Sequence, residues 1–237
     1  MDIDNLTLAE IVTIKPEAAP ILEKFNLDFC CGGKAKLKEA LKDEPQKLND
    51  VTEQLQMVFL KESNTENNFE EYSLTKLIDY ILDTHHSYVK ENLPVMKQHI
   101  DKVASKHGER HPEMKQIKTL FDEIKGEFEQ HMFKEEMLLF PEIKILEASS
   151  IKGSTTNSEI SIGPPIDVME FEHESAGNKM KEIKSLSNNF TPPTDACNTF
   201  RLCYEELRIF DEDLHKHVHL ENNILFPKSL LLQKNLN

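Results

Sequence analysis

Two stretches decide the fold: His131-Met132-Phe133-Lys134-Glu135-Glu136-Met137-Leu138-Leu139-Phe140-Pro141 and His217-Val218-His219-Leu220-Glu221-Asn222-Asn223-Ile224-Leu225-Phe226-Pro227. They align without a gap as His-x-x-x-Glu-x-x-x-Leu-Phe-Pro. Each follows a segment carrying another histidine, His86 lying 45 residues before His131 and His173 lying 44 before His217. A duplicated helical hairpin accounts for this pattern, and two such hairpins make an all-α, up-down-up-down four-helix bundle.

Outward from these stretches the apolar periodicity predicts helices over 74–104, 112–147, 166–187 and 194–232, the first opened by Ser73 as N-cap. Ser149 to Pro165 is rich in Ser, Thr and Gly and reads as the loop joining the two hairpins. Residues 62–71 are polar and almost without apolar periodicity, which predicts a linker. The expected organisation is a small helical domain over 1–62 and the bundle over 72–237.

On an α-helix, residues i and i+4 point within about 40° of each other. His131 with Glu135, and His217 with Glu221, thus each offer an imidazole and a carboxylate to one point. The frame Ile117, Phe121, Ile124, Phe128, His131, Glu135, Leu138 places the first pair in the core. Phe210, Leu214, His217, Glu221, Ile224 and Met169, His173, Ala176, Met180, Ile183 do the same on two further helices. Two buried carboxylates facing several imidazoles need protons or metal, because each unpaired charge costs several kcal/mol. On the first helix, the frame through Ile78, Leu82, His86 and Val89 admits His86. The frame through Ile78, Ile81, His85 and Tyr88 admits His85 almost as well, and spacing alone does not choose.

Four imidazoles and two carboxylates suit Fe, Mn or Zn by softness, and a bundle core with bridging glutamates is typical of di-iron carboxylate chemistry. The expectation is two non-haem irons, carboxylate-bridged by Glu135 and Glu221, with positions left open for an oxo bridge, O2, NO or a redox step. His215 and His219 form a competing i,i+4 pair on another face, which both the repeat and the apolar register reject. His99, His107 and His111, near a helix end, read as solvated.

The formal charge of −14 argues against nucleic acid and anionic membrane as partners, and no stretch reaches the ~20 apolar residues of a membrane span. With no signal-peptide pattern at the N-terminus, a cytoplasmic location is expected. Of the four cysteines, Cys30 and Cys31 are adjacent, where a mutual bridge is strained, and Cys197 and Cys203 lie on different helix faces, so reduced thiols are expected. In the first sixty residues, Thr7-x-x-Glu10 is a capping box, Pro16 and Pro45 open short helices, and Cys30-Cys31-Gly32-Gly33 precedes the basic-apolar stretch Lys34 to Leu41. That last placement puts the two cysteines near a helix N-terminus, where a thiol pKa falls.

His86, His131-x-x-x-Glu135, His173 and His217-x-x-x-Glu221 resemble the hemerythrin-like ligand pattern. Gly177 stands where oxygen-carrying hemerythrins usually place a second third-helix histidine, which turns the expectation away from oxygen carriage. With Asp28-Phe29-Cys30-Cys31-Gly32-Gly33-Lys34, Glu172-His173-Glu174-x-Ala176-Gly177 and Asn189-Phe190-Thr191-Pro192-Pro193, the whole chain resembles the Repair of Iron Centres family, the YtfE or ScdA proteins. The resemblance implies a cytoplasmic di-iron protein that restores iron–sulfur clusters damaged by nitric oxide or peroxide, by donating iron and by reducing NO to N2O. It favours His86 over His85. It also matches Glu127 and Glu172 to acidic residues on the path to the metals, against the plainer reading of solvated carboxylates. For Cys30 and Cys31 it implies redox exchange or iron or NO handling, beside the alternative that they help fold a small module. Damaged iron–sulfur proteins, NO and O2 are the implied partners, with the chain a monomer or a homodimer through its N-terminal module. The competing expectations are a hemerythrin-like O2, NO or redox sensor or carrier, and a ferroxidase-like enzyme.

Overall fold

A computed structural model describes residues 2–60, 68–152 and 161–236. Among these the secondary structure is helical apart from one isolated bridge between Thr7 and Lys36. Four rods make the bundle. The first runs through α5 (Leu74–Ile81) and α6 (Ser87–His107), and the second through α7 (Glu113–Lys134) and α8 (Phe140–Ile151). The third is α9 (Gly163–Leu186), and the fourth joins α10 (Asn198–Leu220) to α11 (Phe226–Leu236). Ser73 caps α5 as its sequence suggests, its side chain accepting from the Lys76 N–H. Two more first-turn donors of α5, Leu74 and Thr75, are satisfied by the Glu147 carboxylate from α8, which also ties the ends of the two rods together.

Three of the rods are interrupted by a single π turn: Leu82–His86, Glu135–Leu139 and Glu221–Leu225. Each turn inserts one residue into the helical register. This overturns one assignment made from spacing, because Leu138, expected in the core, is 62% exposed and Leu139 takes its place at 2%. On the first rod the extra residue turns both His85 and His86 inward, at 3% and 1% exposure. Periodicity fitted across an unrecognised insertion slips by one position beyond it.

The N-terminal segment folds as α1 (Leu8–Ile14), a 3-10 turn Pro16–Ala18 leading into α2 (Ala19–Lys24), α3 (Leu37–Ala40) and α4 (Pro45–Phe59). The capping box at Thr7 and Glu10 forms with both reciprocal bonds. The other free N–H groups of α1 are met by the Cys-Cys-Gly-Gly loop: Ala9 donates to the Gly33 carbonyl at 3.0 Å and Leu8 to that of Ala35 at 2.9 Å. This approach is why residue 33 is glycine, since a Cβ there would stand 2.4 Å from the Phe29 carbonyl and 2.8 Å from Ala9 Cβ. Of the expected linker, residues 62–67 lie outside the described residues, and Phe69–Glu71 forms a 3-10 turn. Of the expected inter-hairpin loop, 149–165, residues 153–160 also lie outside them, while its ends belong to α8 and α9.

The core has two apolar clusters. One joins Ile3 to Leu55 of the N-terminal segment with Val89, Phe121, Phe128, Met180 and Phe210 of the bundle. The other gathers Leu77, Ile81, Phe140, Ile166, Leu225 and Phe226 at the opposite end of the rods. On every rod the candidate ligands fall where one cluster gives way to the other. No helix among the described residues is long and apolar enough to cross a membrane.

Candidate metal centre

All six residues chosen for metal come together, each at 2% exposure or less: His86, His131, Glu135, His173, His217 and Glu221. Their donor atoms fall into two sets, His86, Glu135, His217, Glu221 and His131, Glu135, His173, Glu221, each lying within 4.8 Å. The glutamates belong to both sets, and their two oxygens divide between them. Glu135 Oε2 is 3.4 Å from His86 Nε2 while Oε1 is 3.3 Å from His131 Nε2. Glu221 Oε1 is 3.0 Å from His217 Nε2 while Oε2 is 3.1 Å from His173 Nε2.

This donor set fits a pair of ions. His131 Nε2 and His173 Nε2 stand 2.9 Å apart, close to the ~3 Å separating two cis nitrogens bound at about 2.1 Å to one first-row ion. Among the described residues, buried side-chain atoms lacking a hydrogen-bond partner include both oxygens of Glu135, Glu221 Oε2 and His86 Nε2. Buried polar atoms rarely go unpaired, and these four converge on one place.

Proton affinities respond to the same crowding. Burial and Glu221 oppose ionisation of Glu135, yet His131 and His86 hold its pKa at about 2. Burial disfavours charge on His131, but Glu135, Glu172 and Glu221 overrule it and raise its pKa to about 10. His86 is raised in the same way, burial being outweighed by Glu135, Glu221 and Glu136. For His217 burial prevails and its pKa is lowered. A core without metal therefore sets an anionic Glu135 against a protonated His131.

Comparison with known proteins decides the family. A model of the hemerythrin HHE cation binding domain matches residues 77–229, and one of ScdA_N, a domain of unknown function, matches residues 4–58. A probable iron-sulfur cluster repair protein of Haemophilus influenzae is 37% identical over 226 residues, covering 94% of this chain and 96% of the relative. The iron-sulfur cluster repair protein YtfE of Yersinia pseudotuberculosis is 36% identical over 233 residues, covering 97% and 99%. The YtfE protein of Yersinia pestis matches to the same extent, 36% over 233 residues. This chain belongs to the YtfE-type iron–sulfur cluster repair family.

Around the core of this YtfE-type protein lies a shell that spacing did not reveal. Three imidazoles have their Nδ1 atoms held: His86 by Glu136 at 2.7 Å, His131 by Glu172 at 2.9 Å and His173 by Asn222 at 2.8 Å. Such bonds fix the ring and its tautomer, aiming Nε2 inward. His217 Nδ1 has no such bond, and its ring stands 5.4 Å from a parallel His85. Glu136 and Asn222 occupy one position in the repeat, directly after Glu135 and Glu221. Each holds the histidine of the preceding rod in its own hairpin. The repeat carried this signal, although the residue types differ.

The remaining expected site residues fare unequally. Glu172 does meet the centre, through His131, and Lys134 also binds it, so its pKa is lowered to about 2. Glu127 is half exposed and paired with Lys179 at 2.6 Å, reaching none of the six donors directly. The expectation that the cysteines sit at a helix N-terminus fails. Cys31 lies six residues ahead of α3, a helix of four residues, and Cys30 donates to Asp28 Oδ1 at 3.2 Å. Cys31, burial and the Asp28 charge together raise the Cys30 pKa instead of lowering it. All four cysteines are unbridged.

His99, His107 and His111 are not solvated as expected but half-buried. His99 pairs with Glu206 at 2.8 Å, His111 with Glu113 at 3.0 Å and Asp195 at 3.1 Å, and His107 lies 3.3 Å from Cys197 Sγ. His215 and His219 face the N-terminal segment, their rings 5.9 and 5.7 Å from Phe29. Neither joins a donor set.

Proposed function

We propose that two non-haem irons sit between His86, His131, Glu135, His173, His217 and Glu221, and that the protein uses them to restore iron–sulfur clusters damaged by oxidative or nitrosative stress. The observation that carries the reading is the division of the Glu135 and Glu221 oxygens between two histidine pairs, which suits two ions sharing both carboxylates. Relatives over nearly the whole length are named for cluster repair, and this is the function proposed for the chain, in the cytoplasm. Bound irons would supply one-electron chemistry and affinity for small gases such as NO and O2.

The residues themselves do the rest. Glu135 and Glu221 hold the two positions together, and with only six side chains for two ions the set leaves room for exchange. Glu136, Glu172 and Asn222 keep their imidazoles as acceptors at Nε2. A cavity of about 360 Å³ is lined by Glu127, Lys134, Phe171 and Glu172, the last of these bonded to His131. Glu172, shared by His131 and Lys134, is the group whose release would open that side. We propose iron supply along this route, NO reduction at the same centre, or both, as the chemistry of repair.

The test is metal analysis joined to rescue. Protein from iron-replete cells should carry about two irons per chain and restore an NO-inactivated iron–sulfur enzyme, and Glu135→Leu or Glu221→Leu should abolish both. Stoichiometric zinc in place of iron would sink the di-iron reading. Reversible gas binding with no rescue would favour a sensor or carrier.

A further inference from the structure

The bundle uses neither the Cys-Cys pair nor the cavity in front of it. Asp28, Cys30 and Cys31 bring an oxygen and two sulfurs within 4.8 Å of one another, outside the residues matched by the cation-binding domain. The sulfurs are 3.9 Å apart. Two thiolates on one tetrahedral ion, each at about 2.3 Å, stand ~3.8 Å apart. Asp28 Oδ1 lies 3.2 Å from Cys30 Sγ, also within the span of two donors to one ion.

The loop is held in this shape before anything binds. The N–H groups of Cys30 and Cys31 donate to Asp28 Oδ1 at 3.1 and 3.0 Å, and Lys181 from α9 grips Oδ2 at 2.8 Å. From the fourth rod, Asn223 Nδ2 donates to the Cys30 carbonyl at 3.1 Å. The open side is a cavity of about 440 Å³ whose far wall carries Glu170, Glu174 and Gly177 of α9. A side chain at Gly177 would begin 3.8 Å from Cys31 Sγ, so the absence of one there leaves the sulfur facing this space. Donors aimed into an acidic cavity suit a cation.

We propose that Asp28, Cys30 and Cys31 form a second, mononuclear metal site for a thiophilic divalent cation, with the fourth position open to the cavity. Two sulfurs and one oxygen favour zinc-like ions over magnesium or calcium. The site adjoins the bundle centre through Asn222, which lines the cavity and holds His173. It does not depend on what the bundle holds.

Full-length protein as isolated, with its thiols reduced, is titrated with Cd2+ alone. One equivalent should bind with thiolate-to-metal charge-transfer absorption, a signal the sulfur-free bundle donors cannot give. Cys30→Ser and Cys31→Ser should each abolish that signal, Cys197→Ser should leave it intact, and Asp28→Asn should weaken binding at least tenfold. A signal that survives the double cysteine substitution, or Asp28→Asn binding as tightly as the parent, overturns the site. Should a variant fail to fold, the 113Cd resonance of the unsubstituted protein decides: a shift in the two-sulfur range supports the proposal, and one in the nitrogen and oxygen range defeats it.

Discussion

At the scale of single residues, the proposed centre depends on what stands behind its candidate ligands. Glu136 and Asn222 follow the two glutamates in sequence and hold His86 and His173 by Nδ1. Losing such a partner typically lowers metal affinity 10–100-fold, so Glu136→Ala and Asn222→Ala should each weaken iron binding by about that factor in a chelator competition while helicity is unchanged. Equal affinity for parent and variants would show that the rings are fixed by packing alone. Proton linkage gives a second test. The His131 pKa is raised from 6.5 to about 10, so its contribution to the metal-free fold is complete below 6.5 and disappears as pH rises toward 10. The Glu135 pKa is lowered from 4.5 to about 2, so its contribution is complete above 4.5 and disappears as pH falls toward 2. The joint contribution of His131 and Glu135 to the metal-free fold should therefore be largest between about 4.5 and 6.5 and fall through pH 9, measured as the difference in melting temperature between the parent and His131→Gln after metal removal. A rising difference across that alkaline range would mean that His131 is neutral in the empty core.

At the scale of elements, much of the architecture was legible and its departures from regularity were not. The repeated His-x-x-x-Glu pairs, the Ser73 and Thr7 caps and the four rods followed from periodicity and side-chain chemistry. The π turns did not, because one inserted residue leaves apolar spacing intact on both sides and only shifts its phase. Hence Leu138 was placed inside, and His85 and His86 competed for a core in which both are buried. The cysteine loop was misread for a different reason. Its conformation is set by Asp28, Asn223 and the start of α1, all contacts that a local helix-end argument does not see. Two of the three π turns begin on a glutamate proposed as a ligand, Glu135 and Glu221. Deleting the exposed Leu138 should restore a regular helix in which Leu139 falls into the expected core position. The deletion variant is expected to keep its helical circular dichroism yet bind iron at least tenfold more weakly, because Glu135 loses the turn that places it. Unchanged iron affinity would make that π turn incidental to the centre.

At the scale of the whole molecule, the N-terminal segment and the bundle share an apolar cluster, so the module is fastened to the face that carries α10. The fastening includes a titratable group. His219 lies 4% exposed under the module, 3.3 Å from Thr13 Oγ1 and edge-on to Phe29. Burial lowers its pKa from 6.5 to about 4, against a smaller opposing effect of the Phe29 backbone. A depressed histidine contributes stability that is present above 6.5 and is lost as pH falls toward 4, since only the opened state takes the proton freely. The loss has a ceiling of roughly 3 to 4 kcal/mol, at 1.36 kcal/mol per pKa unit. Amide hydrogen exchange over α1 and α2 should accordingly quicken between pH 7 and pH 5, after correction for intrinsic rates, while α7 and α9 hold their protection. His219→Gln, which cannot take a proton, should flatten that response even if it loosens the module at neutral pH. Acid opening that persists in this variant would move the switch to another group, whereas opening spread evenly over all four rods would mean that the module and the bundle unfold as one unit.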